Sequence, residues 1–272
     1  MRRLALALVA LSLVACNYEQ PQEPMRMLFA PASGTPSECF SKLNIQLFDS
    51  TGAKVFSKVK VQNAGDSGFG SLAVDLSGTY TVVAVGHSCA TSATIKSPQL
   101  VQFTASNGEK NTDTFCYCGQ VDMSADERSY EVTMDRATAM FRLSMESEQV
   151  PEGVTKLLFE YTGGSANFNP TTMQGCTKSN QSESRTFTGL GAYDVFTFPY
   201  MADSCRIKMT ISAMDAAGQV VRKRVFNSVP MVRNQITEYR GRFFADDDDP
   251  WAVVTLHFTV NSGWADHTVV RF

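Results

Sequence analysis

The chain has 272 residues, enough for two domains of ordinary size, and 43% of them are hydrophobic while 19% are charged. With 24 Lys and Arg against 27 Asp and Glu, the net charge is -3, and without a basic stripe this argues against a nucleic-acid-binding protein. Ser, Thr, Gly and β-branched residues are abundant, so the composition favours sheets over helices.

The first residues are typical of a bacterial lipoprotein signal peptide. Arg2 and Arg3 precede an apolar run over 4–14, which is too short to cross a bilayer of about 30 Å as a helix. The run ends in Leu13-Val14-Ala15-Cys16 and resembles a lipobox. We predict that residues 1–15 are removed and that Cys16 carries lipid, including palmitate. The alternative is an incidental cysteine near an ordinary cleavage site or in a short membrane anchor.

Residues 16–25 are polar and rich in proline, which predicts a tether between the lipid and the first folded domain. The residue after Cys16 is Asn17 rather than the Asp that often retains lipoproteins at an inner membrane. We therefore expect delivery to the outer membrane, with exposure at the cell surface.

Residues 26–130 contain short alternating runs and no long segment with a helical period. Apolar and polar residues alternate strictly over 42–47, which predicts a strand with one buried face. The more apolar run 79–85 follows a Ser-Gly turn and predicts a central strand. Further candidate strands cover 54–61, 71–76, 99–104 and 114–122. Together they predict an N-terminal β-sandwich.

A second series of candidate strands fills residues 131–245 and predicts a C-terminal β-sandwich. The clearest hairpin joins 207–213 to 219–225 through a turn that ends at Gly218, because glycine adopts positive φ readily. The remaining candidates cover 131–144, 155–161, 184–190, 193–199 and 235–244, with the hairpin strands extending over 205–214 and 219–229.

Residues 246–272 form a distinct tail. Asp246–Pro250 reads as a solvated acidic linker, with a calcium site as the alternative. Alternation returns over 251–260, and a last strand is predicted over 268–272. This tail is a candidate edge or exchanged strand, or it completes the sandwich of its own chain. The partner-facing candidates are Trp251, Val253, Leu256, Phe258 and Val260.

Six cysteines remain after Cys16, and an even number in an exported chain predicts disulfide bonds. We expect Cys176 to pair with Cys205, and two bridges to form among Cys39, Cys89, Cys116 and Cys118. A metal site at Cys116 and Cys118 is an alternative, although their spacing is not that of zinc ligands. The third alternative is that these cysteines are buried, reduced thiols.

Catalytic motifs are absent from the sequence. It has three His, no Gly-x-Ser-x-Gly, no P-loop and no His-Glu-x-x-His. We therefore expect neither an enzyme nor a bound cofactor or metal.

From residue 134 onward the chain resembles the fimbrillin superfamily, in particular the FimB-type anchor subunits of type V pili. The resemblance rests on 135–143 (DRATAMFRL), 150–154 (VPEGV), the Phe198-Pro199 step and 233–244 (RNQITEYRGRFF). It implies two transthyretin-like β-sandwich domains in a lipidated anchor or accessory subunit. Such a subunit acts in pilus assembly and cell adhesion, with other fimbrial subunits as partners through strand exchange. The six cysteines depart from the shaft-pilin pattern, which favours an anchor or accessory role.

A second hypothesis is a surface lipoprotein that binds a glycan or a host ligand. In this hypothesis Trp251 and Trp264 are exposed and stack on sugar rings.

Overall fold

The structure, a computed structural model, describes residues 23–103, 111–124, 128–245, 257–258 and 263–272. Apart from one short helix, the described residues form strands, turns and loops, so the all-β prediction is confirmed. The predicted signal peptide, Cys16 and most of the tether lie outside the described residues, as do 246–256 and 259–262.

The N-terminal elements build a sandwich, which we call the first sandwich, and part of a third sheet. Their bounds are β1 (Met25–Pro31), α1 (Pro36–Cys39), β2 (Lys42–Phe48), β3 (Lys60–Asn63), β4 (Ser71–Val74), β5 (Thr79–His87), β6 (Thr94–Ser97), β7 (Leu100–Gln102), β8 (Phe115–Asp122) and β9 (Ser129–Arg136). The sheet runs β3-β2-β5-β8-β9-β1-β4, but β8 and β9 pair over only two residues. It therefore folds into two layers, and alternate apolar residues such as Met27, Phe29 and Ile45 fill the space between them.

The remaining strands build the second sandwich and part of a third sheet. Their bounds are β10 (Ala139–Met145), β11 (Val154–Ser165), β12 (Asn167–Asn169), β13 (Gln174–Gly175), β14 (Lys178–Thr186), β15 (Ala192–Pro199), β16 (Ser204–Asp215), β17 (Val220–Val232), β18 (Gln235–Gly241), β19 (His257–Phe258) and β20 (Asp266–Arg271). One layer is β14-β11-β16-β17 and the other is β15-β10-β18-β20-β19. Phe141, Phe159 and Met209 lie between the layers with no exposed surface.

A small third sheet connects the two sandwiches, and we call it the linking sheet. It has the order β13-β12-β7-β6, so strands from both halves of the chain pair within it. Phe168 on β12 stacks on Phe198 of β15 with ring centroids 4.5 Å apart. Val83 and Val85 of β5 pack against the same cluster. The central strand of the first sandwich is therefore covered on both faces.

Several predicted strands agree with the structure, including 42–47, 79–85, 114–122, 155–161 and 193–199. The predicted hairpin is also confirmed. Gly218 has φ 79°, and the side chain of Asp215 accepts a hydrogen bond from the Gln219 amide at 2.8 Å across the turn. This hairpin was predictable because its pattern and its turn residues are both local.

The prediction of one strand over 131–144 was wrong. The segment is divided between β9 in the first sandwich and β10 in the second, and the Ala137 amide between them donates to the Thr114 carbonyl. The chain therefore passes from one sandwich to the other at this point. The proposed division of the chain into domains at residues 26–130 and 131–245 stays a prediction.

Only residues 60–61 of the strand predicted over 54–61 lie in β3, and the strand predicted over 184–190 ends at Thr186. The Gln46 amide donates to the Phe56 carbonyl at 3.0 Å, and its oxygen accepts the Phe56 amide at 3.2 Å. The Gln46 side chain therefore makes the two backbone hydrogen bonds at Phe56 that a neighbouring strand would otherwise make. Gly189, with φ 113°, lies in the turn that follows β14.

The β2 strand also differs from its prediction, because both of its faces are buried. Leu43 and Ile45 face the interior of the first sandwich, whereas Asn44 and Gln46 on the other face have no exposed surface either. The polar side chains are tolerated because they have internal partners. The amide of Asn44 lies 2.8 Å from Nε2 of His87.

His87 is buried at the end of β5 among N–H donors. The Cys89 amide donates to Nδ1 at 3.1 Å, and the Ala93 amide faces Nε2 at 3.3 Å. A neutral imidazole can accept one such bond, and an imidazolium can accept none. Burial, with a smaller contribution from the charge of Lys42, lowers the pKa of His87 to about 4.

The first prediction concerns acid stability. The unfolded chain binds a proton at His87 near pH 6.5, but the folded chain does so only near pH 4, so stability falls as pH drops through this window. At about 1.4 kcal/mol per pKa unit, the loss reaches about 3 kcal/mol. Urea unfolding of the wild type and of His87→Gln at pH 7, 5 and 4 measures it. The variant should lose much less stability on acidification, and equal losses in both proteins would contradict the assignment.

Candidate functional site

The C-terminal strand is the part of the predicted assembly surface that the structure describes best. β20 lies parallel to β18 over six residue pairs, from Gln235 opposite Asp266 to Arg240 opposite Arg271. β18 in turn pairs with β10 on its other side. The described end of the chain is therefore a strand of its own sandwich.

His267 and Glu238 form a buried polar contact between β20 and β18. His267 Nε2 lies 2.5 Å from Glu238 Oε2. The two groups are not aligned for a hydrogen bond, so their contact is electrostatic. Arg240 pairs with the other carboxylate oxygen at 2.7 Å. Burial pushes the pKa of Glu238 upward, but bonds from Ser144 and Arg240 and the charges of Arg240 and His267 outweigh burial and lower the pKa. The carboxylate is thus held ionised beneath the C-terminal strand.

Arg136, at the end of β9, connects this strand to the first sandwich. Its side chain is 7% exposed, and its Nε donates to Asp113 at 2.8 Å. Its Nη1 donates to Asn234 Oδ1 at 2.9 Å and to the carbonyl of Gly263. The guanidinium therefore joins β9, the turn before β18 and the residues that lead into β20.

Aromatic rings enclose the same guanidinium. Its central carbon lies 3.9 Å from the ring centroid of Trp264 and 4.6 Å from that of Phe115. Trp264 also stacks on Phe196 at 6.4 Å. Trp264 is half-buried and packs against protein groups, which disfavours its proposed role as an exposed sugar-stacking residue. Trp251, the other residue of that hypothesis, lies outside the described residues.

Burial affects the acid partner of Arg136 as well. It raises the pKa of Asp113, and the bonds to Arg136 and Thr138 offset only part of this rise. Asp113 would therefore be costly to keep ionised without its guanidinium partner.

The last residue of the chain is also closely packed. Phe272 lies against Gly241, where any Cβ would collide with the Phe272 carbonyl oxygen. Its ring packs edge-on against Phe226 with centroids 5.0 Å apart. Arg271 pairs with Glu146 at 2.9 Å. A side chain larger than glycine at position 241 would therefore displace the end of the strand.

The predicted partner-facing residues are only partly located. Trp251, Val253, Leu256 and Val260 lie outside the described residues. The backbone of Phe258 lies in β19 and pairs antiparallel with Thr268 of β20. Within the described ranges, β19 is the last strand of its layer.

All six cysteines of the predicted disulfides are thiols in the structure, so the predicted bridges are not formed here and the pairing stays a prediction. Cys89, Cys116 and Cys118 share the cluster between the first sandwich and the linking sheet. Cys39 packs on the first sandwich and Cys205 on the second, while the Cys176 sulfur lies 3.9 Å from Thr177 Oγ1. Burial raises the pKa of Cys118 to about 11 and that of Cys116 well above its usual value.

The described residues lack both a cluster of metal-ligating side chains and a membrane-spanning helix. None of their His, Cys, Asp and Glu side chains gather in threes that could hold a metal ion. Among the same residues there is no helix long and apolar enough to cross a membrane.

The sequence pattern did not reveal Arg136 as a connecting residue, although Arg136 lies in the segment 135–143 that carries the fimbrillin resemblance. The alternation of residues along β9 could have indicated that Arg136 is buried, because Arg136 falls on the same face of β9 as the buried Val132 and Met134. A charged residue at a core-facing position needs an internal partner. The partners Asp113, Asn234 and Gly263 are distant in sequence, so the pattern alone could not name them.

The second prediction concerns Arg136. Arg136→Met should reduce the free energy of unfolding by up to about 3–5 kcal/mol, because it leaves the Asp113 carboxylate, which is only 25% exposed, without its guanidinium partner. Adding Asp113→Asn should recover part of this loss. Arg271→Gln, which removes a surface pair from the same C-terminal strand, should cost less than about 1 kcal/mol. Urea unfolding of the wild type, Arg136→Met, the double variant and Arg271→Gln measures these free energies. Equal losses of stability in Arg136→Met and Arg271→Gln would contradict the assigned role.

The chain is similar to several solved structures. A candidate adhesin from Bacteroides ovatus matches with a TM-score of 0.51 at 14% identity, over 78% of this chain and 79% of its own. A candidate polysaccharide-binding protein from Bacteroides thetaiotaomicron has a TM-score of 0.49 at 12% identity, over 74% and 79% of the two chains. A fimbrial anchor protein from Porphyromonas gingivalis has 0.38 at 13% identity, over 74% and 81%. At these identities the likeness concerns the fold alone.

The sequence comparisons add a family. No curated protein is significantly similar to the chain. Residues 94–268 match the family of unknown function DUF6562. The match begins at the first strand of the linking sheet, ends within β20 and covers more than half of the sequence. The chain therefore belongs to the DUF6562 family.

Proposed function

We propose that the protein is a fimbrial anchor or accessory subunit, attached to the outer membrane through lipid on Cys16 and exposed at the cell surface. In this role it acts in pilus assembly and cell adhesion by pairing a sheet edge with another subunit. The observation that carries the proposal is the two-sandwich fold, which the candidate adhesin shares and which is built from strands that have open edges. The resemblance of 135–143 and 233–244 to fimbrial subunits supports the same role.

The proposed attachment suits the position of the first strand. β1 begins at Met25, nine residues after Cys16. Nine extended residues reach roughly 30 Å, so the first sandwich would stay close to the membrane surface.

The proposed partner contact is the sheet edge beyond β20. β19 pairs antiparallel with β20, so the segment 251–260 would continue the layer at the place where an incoming strand would pair. An open edge offers unpaired N–H and C=O groups, and an added strand satisfies them. The alternative is that 251–260 only completes the sandwich of its own chain.

The proposal also includes the disulfide bonds and a structural role. In an oxidising compartment, Cys176 would pair with Cys205 and two bridges would form among Cys39, Cys89, Cys116 and Cys118. The role would be structural rather than catalytic.

The third prediction tests the anchor. Cys16→Ser should lose labelling by a palmitate analogue and leave the outer-membrane fraction, because no lipid can be attached without the thiol. Cys39→Ser, which removes a half-buried thiol of the folded body, serves as the control and should remain labelled and membrane-bound. Cell fractionation followed by detection of the label measures both. A Cys16→Ser protein that stays firmly bound to the membrane would refute the anchor.

The fourth prediction tests the edge contact. Phe258→Asp should abolish co-purification with pilin expressed in the same cells, while the melting temperature stays within about 2 °C of the wild type. Val269→Asp is the contrasting variant, because Val269 is buried in β20 and its substitution should lower the melting temperature by several degrees.

Pull-down and thermal unfolding give the two readouts. The edge contact is rejected if Phe258→Asp still captures pilin. It is also rejected if Phe258→Asp destabilises the protein as much as Val269→Asp does, because residue 258 would then serve its own sandwich.

A further inference from the structure

A polar groove crosses the outer face of the layer β14-β11-β16-β17. It has a volume of about 420 Å³, which is within the range of small-ligand sites. Its lining includes Glu160, Thr162, Asn180, Lys208, Thr210 and Lys223. Tyr161 also borders it, but its hydroxyl bonds to Glu183 on the buried side of the sheet. The groove is far along the chain from the edge discussed above and shares no residue with it.

The charged side chains of the groove are not used within the protein. The side chains of Glu160, Lys208 and Lys223 make no hydrogen bond or ion pair with any described residue, whereas Arg142 and Arg185 of the same sandwich pair with carboxylates. Arg142, for example, forms two hydrogen bonds to Asp194 at 2.7 and 2.8 Å. Two cations and one carboxylate are therefore left available on one face.

Strand register fixes how these groups are arranged. Glu160 lies opposite Thr210 on β16 and opposite Ser182 on β14. Lys208 lies opposite Thr162, and Lys223 lies opposite Ser212 on the far side of Thr210. Ser212 lies four positions after Lys208 on β16, so these two rows are about 13 Å apart. The lysines thus flank a centre that consists of Glu160 and neutral hydrogen-bonding groups.

The chemistry of the lining indicates the class of ligand. No large apolar side chain faces the groove among the residues that line it, so an apolar ligand would gain little there. Hydroxyl groups match the mixture of donors and acceptors, and a carboxylate such as Glu160 accepts charge-assisted bonds from them. The two lysines attract negative charge at the ends of the groove.

We propose that this groove binds an acidic oligosaccharide. Lys208 and Lys223 contact carboxylates of the ligand, and Glu160, Thr210 and Asn180 bind its hydroxyl groups. This binding is additional to the proposed fimbrial role and does not depend on it. It also differs from the earlier glycan hypothesis, which placed sugars on tryptophan rings.

The fifth prediction uses trigalacturonate as the probe and neutral maltotriose as its control, with the whole mature protein in isothermal titration calorimetry. Trigalacturonate should bind, and maltotriose should bind at least tenfold more weakly. Lys208→Gln and Lys223→Gln should each weaken trigalacturonate binding about tenfold, since each removes one charge-assisted contact. Raising the salt concentration should weaken it further.

Lys96→Gln is the matched control, because Lys96 is exposed on β6 and its substitution removes the same charge away from the groove. It should bind trigalacturonate like the wild type. The proposal is overturned if trigalacturonate does not bind, if maltotriose binds equally well, or if the groove variants behave like Lys96→Gln. Pilin co-purification by the same variants should be unchanged, which separates this test from that of the fimbrial role.

Discussion

The structure depends on one buried cation. Arg136 ends a strand of the first sandwich, pairs with Asp113, and bonds to Asn234 and to the carbonyl of Gly263. The ring of Trp264 covers it. A guanidinium spreads five donors over one plane and can also stack on a ring, whereas a lysine ammonium has three donors at a single point. The position of the C-terminal strand is therefore tied to the point at which the chain crosses between its sandwiches.

The linking sheet provides the second connection between the halves. Its core includes Phe168 and Phe198 from the second half and Val83 and Val85 from the first, all without exposed surface. Because both faces of β5 are buried, the two sandwiches cannot separate without exposing apolar surface to water. The two sandwiches are therefore joined through a shared apolar cluster.

The sequence predicted those features whose causes are local. The hairpin of β16 and β17 was found because alternation and the Gly218 turn lie within one short segment. The short strands β12 and β13 carry too few residues to show a period, so the linking sheet was missed. The alternation over 42–47 predicts that Gln46 faces solvent, yet Gln46 is buried and its side chain bonds to the backbone of Phe56. The groove was missed for a similar reason, since Glu160, Lys208 and Lys223 meet only through the register of three strands.

Hydrogen exchange of the isolated protein, followed by mass spectrometry, tests most directly whether the C-terminal strand belongs to its own sandwich. The amides of 268–271 should be protected to about the same degree as those of β18, because the two strands pair along their length. Exchange of 268–271 at the rate of an unstructured peptide, beside a protected β18, would contradict the account. The strand would then have to come from another subunit to fill this position.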